Sequence, residues 1–410
     1  MCTWVVIEAI GYFLRNNSEV FTCLCDMSKA FDLVKISVLF RKILDQGLPV
    51  IFARLLLVMY VKQQANVKWN NETSEKFPIS NGVKQGAVLS AILYCMYMNG
   101  LFKKLRENKT GCWINNTFYG IIGYSDDNIL LSPTLEGLQE MLQICESYAE
   151  EHNLVFSTDP NPKKSKTRCI AFLNKQRNLR KLTLCGNPLP WEESGKHLGN
   201  KIVSSSIVMK QDLKEKRAKF ISRNMELCQE FAFAHPQTKV LMNSIYNSHF
   251  SGSPLWDLFD TEAVQLENSW NVASRIMLGV PRETHRFLLE PLTETTHIRT
   301  LLAKRFLGFI DQIKKSHKVA ARNLLEVIKY DTQSVTGNNL RQIMLLSDKF
   351  SVNDLSPSDC SNVTYHPIEK DDLWRVSVIK ELNDVKFGLL SLENFSTEEI
   401  EELIVMSCNN

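Results

Sequence analysis

Short apolar runs that end at acidic residues mark the first half of the chain. Residues 20–25, VFTCLC, form a partly β-branched apolar run that ends at Asp26, which predicts a buried strand with a carboxylate at its C-terminal end. The apolar runs GII and NILL flank the stretch YSDD at 124–127 and predict two strands joined by a tight turn. Because a buried aspartate pair is costly unless a positive group neutralises it, these acids are candidates for chemistry.

In the segments between these strands, the apolar residues follow helical spacing. The pattern predicts amphipathic helices over about 35–46 and 50–64, and a further helix over 89–105 after the loop NGVKQGAVLS. Another helix is expected to open after Ser132, where apolar positions again follow helical spacing. The Asn-Asn pair at 70–71 predicts the turn of a hairpin.

The predicted secondary structure changes from mixed helices and strands to helices alone near the middle of the chain. Strand patterns continue to about residue 203, and helical periodicity dominates from 207 to about 346. The last stretch is polar and acidic, which is typical of a loose tail or a small appended helical piece. We therefore expect a mixed α+β domain over 1–202, a helical region over 203–346 and an acidic appendage over 347–410.

Composition and charge narrow the class of protein. The 410 residues are 44% hydrophobic and 23% charged, as in ordinary globular proteins. The net charge is +3, but residues 351–410 hold 12 Asp+Glu and 4 Lys+Arg, so this tail carries −8 and the preceding 350 residues carry +11. A basic body fits either a polyanionic partner or an unevenly charged solvated surface, and charge alone does not separate the two.

Cysteine usage and the start of the chain bear on the compartment. The 11 cysteines include no CxxC pair and no Cys/His cluster at zinc spacing, which predicts reduced thiols in an intracellular protein of the nucleus or the cytoplasm. Cys23 and Cys25, on one predicted strand, are expected to face opposite ways. The apolar N-terminal segment contains Glu8 and no basic region, so it predicts a packed helix and not a signal peptide. No stretch reaches membrane-spanning length, and we expect no membrane association.

The acidic positions can converge on one place. A strand that ends in one acid, followed about a hundred residues later by a hairpin with two, can bring three carboxylates together. Such carboxylates repel one another, and Mg²⁺ relieves the repulsion because it prefers oxygen ligands completed by water and phosphate. Sites that make or cleave phosphodiesters hold two such ions roughly 3.5–4 Å apart.

Five segments in order carry a resemblance to a known family. They are CDMSKAFD (25–32), NGVKQGAVLS (81–90), GYSDDNILL (123–131), FSTDPNPKKSKT (156–167) and KHLGN (196–200). This series resembles the successive motifs of reverse transcriptases encoded by non-LTR, LINE-like retrotransposons. The resemblance implies an α+β polymerase palm, an antiparallel sheet backed by helices, followed by an α-helical thumb-like region. It also implies RNA-directed DNA synthesis, in which the 3′-hydroxyl of a DNA primer, paired to an RNA template, attacks the α-phosphate of a dNTP.

The resemblance implies roles for individual residues in catalysis. Asp26 and Asp126 match the metal-binding acids, Asp127 matches their neighbour, and the carbonyl of Met27 is an expected extra ligand. The cofactor would be two Mg²⁺ ions, with Mn²⁺ as a possible substitute. Lys164 matches a lysine near the triphosphate and is a candidate general acid.

Other matched positions imply contacts with substrates. Phe31 matches the aromatic residue that abuts the nucleotide sugar and rejects a 2′-hydroxyl; from the residues alone, a core aromatic is the favoured interpretation. The remaining matches are Gln85 and Gly86 for the incoming nucleotide and template, Tyr124 for the primer end, and His197, Leu198 and Gly199 for the turn that grips the primer strand.

The basic helix that begins near residue 208 allows two interpretations. It could be an ordinary surface helix, or its basic face could follow a nucleic-acid backbone. Under the second interpretation, the residues expected to contact phosphates are Lys210, Lys214 and Arg217.

Departures from the family pattern leave two alternatives open. The family normally has a fingers region before the first acid, and only 25 residues precede Asp26, so we expect an N-terminally truncated domain with fingers largely missing. The first alternative is a catalytically inactive, nucleic-acid-binding remnant. The second is a two-metal nuclease, which would need neither Phe31 nor the loop with Gln85.

Overall fold

The computed structural model describes residues 1–358 except 176, 206–207, 247–249, 348 and 350. The predicted acidic appendage lies outside the described residues from 359 onward. The described chain divides into two compact units: residues 1–207 with 319–324, and residues 208–318 with those from 325 on.

The first unit mixes helices and strands, as the sequence predicts. Its helices are α1 (Cys2–Arg15), α2 (Ile36–Asp45), α3 (Val50–Val61), α4 (Ser90–Glu107) and α5 (Leu135–His152). Its strands are β1 (Val20–Cys25), β2 (Gln64–Ala65), β3 (Lys68–Trp69), β4 (Glu72–Thr73), β5 (Phe77–Pro78), β6 (Trp113–Ile114), β7 (Thr117–Phe118), β8 (Ile121–Tyr124), β9 (Asp127–Ser132), β10 (Arg168–Phe172), β11 (Thr183–Leu184), β12 (Asn187–Pro188), β13 (Ser194–His197) and β14 (Asn200–Val203).

The main sheet has four antiparallel strands in the order β10-β1-β9-β8. The predicted strand VFTCLC is β1, and it lies inside the sheet, with Cys23 opposite Leu130 of β9 and Cys169 of β10. An interior strand has both edges paired, which suits the continuous apolar run of this segment.

Helices cover the sheet and form the core of this unit. Leu39 of α2, Tyr97 of α4 and Leu142 of α5 are all fully buried and belong with Leu130 of β9 to one apolar cluster. The helix expected after Ser132 is α5, and Thr134 caps it by accepting a hydrogen bond from the Gly137 amide, which satisfies a free amide of the first turn.

Helix α3 differs from the prediction of an amphipathic helix. Its residues Ile51, Leu55 and Val61 are 71%, 60% and 64% exposed. The helix carries one charged residue, Arg54, within an otherwise apolar sequence, so it has no polar face to turn toward water.

The expectation that Cys23 and Cys25 face opposite ways is wrong. Their sulfur atoms lie 3.7 Å apart, because residues two apart on a strand share one face of the sheet. The thiols are free, and hydrogen bonding with a neighbouring thiol, followed by burial, raises the pKa of each above its ordinary value. These cysteines are therefore inert core residues.

The second unit is helical where described. Its helices are α6 (Lys210–Glu230), α7 (Pro236–Tyr246), α8 (Thr261–Leu278), α9 (Arg286–Thr293), α10 (Ile298–Lys315), α11 (Val319–Ile328), whose first residues belong to the other unit, and α12 (Val335–Leu346). Within it, Phe220 of α6 stacks on Trp270 of α8 with ring centroids 5.5 Å apart. Among the helices described in either unit, none has the length and apolarity to span a membrane.

Candidate active site

The pairing of β1 with β9 brings the predicted acids to one end of the sheet. Cys25 pairs with Asn128, so Asp26, the next residue, stands level with Asp127, the neighbour of Asn128 in the opposite direction. Burial first, and then the charges of Asp126 and Asp26, raise the pKa of Asp127 above its ordinary value. Asp26 and Asp126 therefore lie close enough to Asp127 to act on its carboxyl electrostatically.

None of the three carboxylates has a basic partner among the described residues. Asp26, Asp126 and Asp127 form no ion pair with a lysine, arginine or histidine of that part of the chain. The same part of the chain contains no group of three or more His, Cys, Asp or Glu side chains arranged to hold a metal ion. The acids thus supply oxygen donors and uncompensated charge, which suits Mg²⁺, an ion that completes its shell with water and phosphate, but they do not enclose an ion by themselves.

The mutual repulsion gives a stability prediction. A carboxyl whose pKa is raised by folding lowers the stability of the native state once it ionises, and this penalty is absent at low pH. Replacing Asp127 with Asn should raise the melting temperature in EDTA at neutral pH, and the gain should shrink as pH falls toward the ordinary aspartate pKa of 3.8. Thermal scans across pH measure this, with Asp45→Asn on the exposed end of α2 as the matched control. A melting temperature that falls on Asp127→Asn at pH 7 contradicts the prediction.

The backbone of Asp26 is held by a segment far along the chain. The Ser157 amide donates to the Asp26 carbonyl at 2.8 Å, and the Asp26 amide donates to Thr167 Oγ1 at 3.2 Å. Met27 pairs with Phe156 in an antiparallel bridge, and its carbonyl accepts no hydrogen bond from the described residues. That oxygen is free for the extra ligand role that the family resemblance implies.

The hairpin with the paired acids is a two-residue turn. Tyr124 pairs with Asp127, which leaves Ser125 and Asp126 in the turn, and Ser125 has a φ of +59°. Both favoured hairpin turns place their first turn residue at positive φ. Tyr124 is 58% exposed, so its ring is open to a ligand at this end of the sheet.

Gly123 lies at a position of β8 where the neighbouring side chains leave no space for a Cβ atom. A Cβ at this position would stand 2.5 Å from the ring of Phe102 and 2.6 Å from the buried Asn128 Oδ1. Asn128 itself donates from Nδ2 to the Asp126 carbonyl at 3.2 Å, which holds the turn. Its Oδ1 has no hydrogen-bond partner in the described chain.

Phe31 and the glycine loop form one packed structure. The Phe31 ring lies 5.1 Å from the Tyr94 ring, and the Tyr94 hydroxyl donates to Met27 Sδ at 2.9 Å. The Val83 amide donates to the Phe31 carbonyl at 2.9 Å, so the half-buried ring is fixed from two sides. Phe31 therefore packs against the core, and its contact with the nucleotide sugar stays a prediction.

The basic turn and the predicted primer grip have contrasting environments. Lys164 ends a short 3₁₀ helix, Pro162–Lys164, and is exposed. It lies three residues before Thr167, which contacts Asp26.

His197 is buried, and its Nδ1 lies 3.0 Å from Thr3 Oγ1 of α1. Burial, and after it the positive N-terminus, lowers the pKa of His197 to about 4, so this side chain is neutral and faces the interior.

The turn that follows His197 is the other part of the predicted primer grip. Leu198 and Gly199 both have positive φ, 48° and 77°, and join β13 to β14 with His197 opposite Asn200. This is the geometry of a tight hairpin with primed turn dihedrals. The structure therefore presents the backbone of this turn, and not the His197 ring, as the part that could touch a ligand.

The predicted phosphate-contacting residues of α6 have acidic partners within their own unit. Lys210 Nζ lies 2.6 Å from Asp260, Lys214 Nζ lies 3.3 Å from Glu262, and Arg217 lies 4.0 Å from Glu262. These ion pairs compete with phosphate binding, so the role of Lys210, Lys214 and Arg217 on nucleic acid stays a prediction. No local pattern in the sequence indicates the pairing, because the acids lie at the start of another helix.

Comparisons with known proteins identify the class of domain. Residues 9–202 match the family model of reverse transcriptase (RNA-dependent DNA polymerase). This segment, which contains the sheet and every acid of the proposed metal site, is a reverse transcriptase domain, and by family an RNA-directed DNA polymerase.

Curated relatives define the type more closely. The chain is 27% identical over 165 residues to the Pol polyprotein of the type-1 retrotransposable element R2 of Nasonia vitripennis, covering 39% of this chain and 15% of the relative. It is 30% identical over 117 residues to the Pol polyprotein of the type-2 element R2DM of Drosophila melanogaster, covering 28% and 11%. The domain is thus of the non-LTR retrotransposon type, as the sequence motifs predict, and the chain spans only a small part of these relatives' length.

Similar solved structures were also found. Telomerase from Candida tropicalis, in complex with a TWJ fragment of telomeric RNA, aligns with 99% of this chain and 52% of that chain at 13% identity and a TM-score of 0.37. Telomerase from Candida albicans aligns with 80% and 54% at 12% identity and a TM-score of 0.34. These scores are too low to define a shared fold.

Proposed function

We propose that this chain carries out RNA-directed DNA synthesis by two-metal nucleotidyl transfer. In this proposal the four-stranded sheet is the palm and the helices of the second unit are thumb-like. The observation that supports it best is the level position of Asp26 beside Asp127, set by the β1–β9 register within a reverse transcriptase domain.

The residues of the site would have different roles in this reaction. Asp26 and Asp126 would bind Mg²⁺ through carboxylate oxygens, and the Met27 carbonyl would be an additional ligand. When bound, the ions supply positive charge at the attacking 3′-oxygen of the primer and at the leaving oxygen. Lys164, exposed in its basic turn, would donate a proton to the departing pyrophosphate. The chain's main contribution is to orient the reactants and stabilise charge.

Homopolymer-templated dNTP incorporation by the purified chain tests the proposal. Incorporation that needs RNA template, DNA primer and Mg²⁺ or Mn²⁺ supports it. Salt-dependent RNA binding without incorporation would favour the inactive nucleic-acid-binding alternative. Strand cleavage without incorporation would favour a nuclease.

The position of Phe31 gives a selectivity prediction. If its ring excludes a 2′-hydroxyl, Phe31→Ala should raise incorporation of ribonucleotides relative to deoxynucleotides by about tenfold or more, as expected when space opens at a packed contact. The ratio of kcat/KM for the two nucleotide types measures this. Phe52→Ala on the exposed face of α3 is the control, and an unchanged ratio in Phe31→Ala rejects the gate.

A further inference from the structure

A large cavity opens beside the glycine loop. Its volume is about 1060 Å³, at the upper end of ordinary ligand pockets. Its lining includes Asp32 and Gln85 but none of Phe31, Asp26, Asp126 and Asp127. A ligand in this cavity would contact the glycine loop through residues other than Phe31 and the three carboxylates.

The lining is partly apolar, with Leu56, Met59 and Ile79 among its residues, and its polar part suits a nucleic-acid strand. Side-chain amides, which both donate and accept hydrogen bonds, recur around the cavity, and Lys84 adds a positive charge at the loop. The amide residues are Gln63, Gln64, Asn66, Asn81 and Gln85. Such groups read base edges and sugar hydroxyls of unpaired strands.

Asp32 fixes which end of one amide faces the cavity. Gln85 Nε2 donates to Asp32 Oδ1 at 3.3 Å. An ionised carboxylate only accepts hydrogen bonds, so the Gln85 amide cannot be reversed without placing two acceptors together. The Gln85 carbonyl oxygen has no partner among the described residues, and it is left as an acceptor for a ligand in the cavity.

Backbone contacts hold the loop that carries Gln85 against the segment that carries Asp32. The Gly82 amide donates to the Val34 carbonyl at 2.8 Å. Gly82 has a φ of +90°, and a Cβ there would stand 3.0 Å from the Asp32 carbonyl oxygen. The loop therefore lies directly against the Asp32 backbone, and Gln85 is presented from a fixed base.

We propose that Asp32 is a positioning residue for template selectivity. By orienting Gln85, it presents a carbonyl oxygen that accepts a hydrogen bond from the 2′-hydroxyl of single-stranded RNA in the cavity. The 2′-hydroxyl is the group that distinguishes RNA from DNA. This inference rests on the proposed function, since it takes the RNA strand to be the template.

Binding measurements test the inference without requiring catalysis. Fluorescence anisotropy gives the affinity of the full chain for a short oligoadenylate as RNA, as DNA and as 2′-O-methyl RNA, which lacks the hydroxyl proton. The wild type should prefer RNA over both other forms. Asp32→Asn, which can also donate and so allows Gln85 to reverse, should reduce that preference by about two- to tenfold, the worth of one hydrogen bond. Asp45→Asn controls for the lost charge.

A rescue variant separates orientation from general damage. In the double variant Asp32→Asn/Gln85→Glu, the side-chain amide introduced at position 32 can donate to the carboxylate introduced at position 85. The other oxygen of that carboxylate again faces the cavity as an acceptor, at unchanged net charge, so the RNA preference should return.

Several results would overturn the inference. They are a wild type without RNA preference, an unchanged preference in Asp32→Asn, and no recovery in the double variant. A chain that binds RNA selectively but extends no primer overturns only the proposed polymerase function.

Discussion

Replacing Asp126 with Asn is expected to abolish primer extension. The substitution keeps the size of the side chain and removes a negative charge from a group of three carboxylates that have no basic partner in the described chain. Loss of a metal-binding carboxylate removes charge stabilisation that acts on the transition state, so we expect a loss of about 10³-fold or more in kcat.

The fold of the variant should remain intact. The hydrogen bond that holds the turn runs from Asn128 to the backbone carbonyl of residue 126, which the substitution leaves in place. RNA binding and the melting temperature should therefore match or exceed those of the wild type, while Asp45→Asn should retain extension. Mg²⁺- or Mn²⁺-dependent extension that survives Asp126→Asn would show that the acid is misassigned.

Replacing Leu130 with Ala should produce a large loss of stability in the first unit. Leu130 is fully buried in β9, opposite Cys23 of β1 and Ile121 of β8. Truncating a buried leucine removes apolar contacts and leaves a cavity, which costs about 2–5 kcal/mol. Since β9 begins with Asp127 and pairs with the strand before Asp26, activity should be lost at a lower temperature as well.

Hydrogen exchange of the β1 and β9 amides measures this effect in the unit concerned, because a chain of two units need not unfold in one step. Val155→Ala, at a side chain that is 52% exposed, is the matched control and should change the opening free energy by at most about 0.5 kcal/mol. Equal effects of the two substitutions would mean that Leu130 does not support the sheet.

The sequence predicts the acid-bearing elements well for a physical reason. The runs that form β1 and β9 are apolar because these two strands lie inside a covered sheet, and Asp26 and the pair at 126–127 interrupt the apolar pattern at strand ends. Such an interruption can be recognised from the sequence alone, and the order of the motifs then indicates the family.

Other features depend on contacts that no local pattern reveals. The exposure of α3 could not be read from its apolar sequence, which resembles that of a buried helix. The acids that pair with Lys210 and Lys214 lie at the start of α8, and the Asp32–Gln85 bond joins two separate motifs. Thr167 and Tyr94, which hold Asp26 and Met27, carried no signal beyond their nearness to motif residues.

The interior position of β1 has a consequence for how the protein is made. Its partner residue Ile170 is 148 residues further along the chain than Thr22, and ribosomes add about 5–20 residues per second, so this apolar strand waits roughly 7–30 s for its neighbour to be synthesised. VFTCLC has no charge, two open edges until β9 is synthesised and one open edge until β10 follows, which are features of a segment prone to cross-β association. Nascent chains of this protein should therefore depend on chaperones until β10 has left the ribosome.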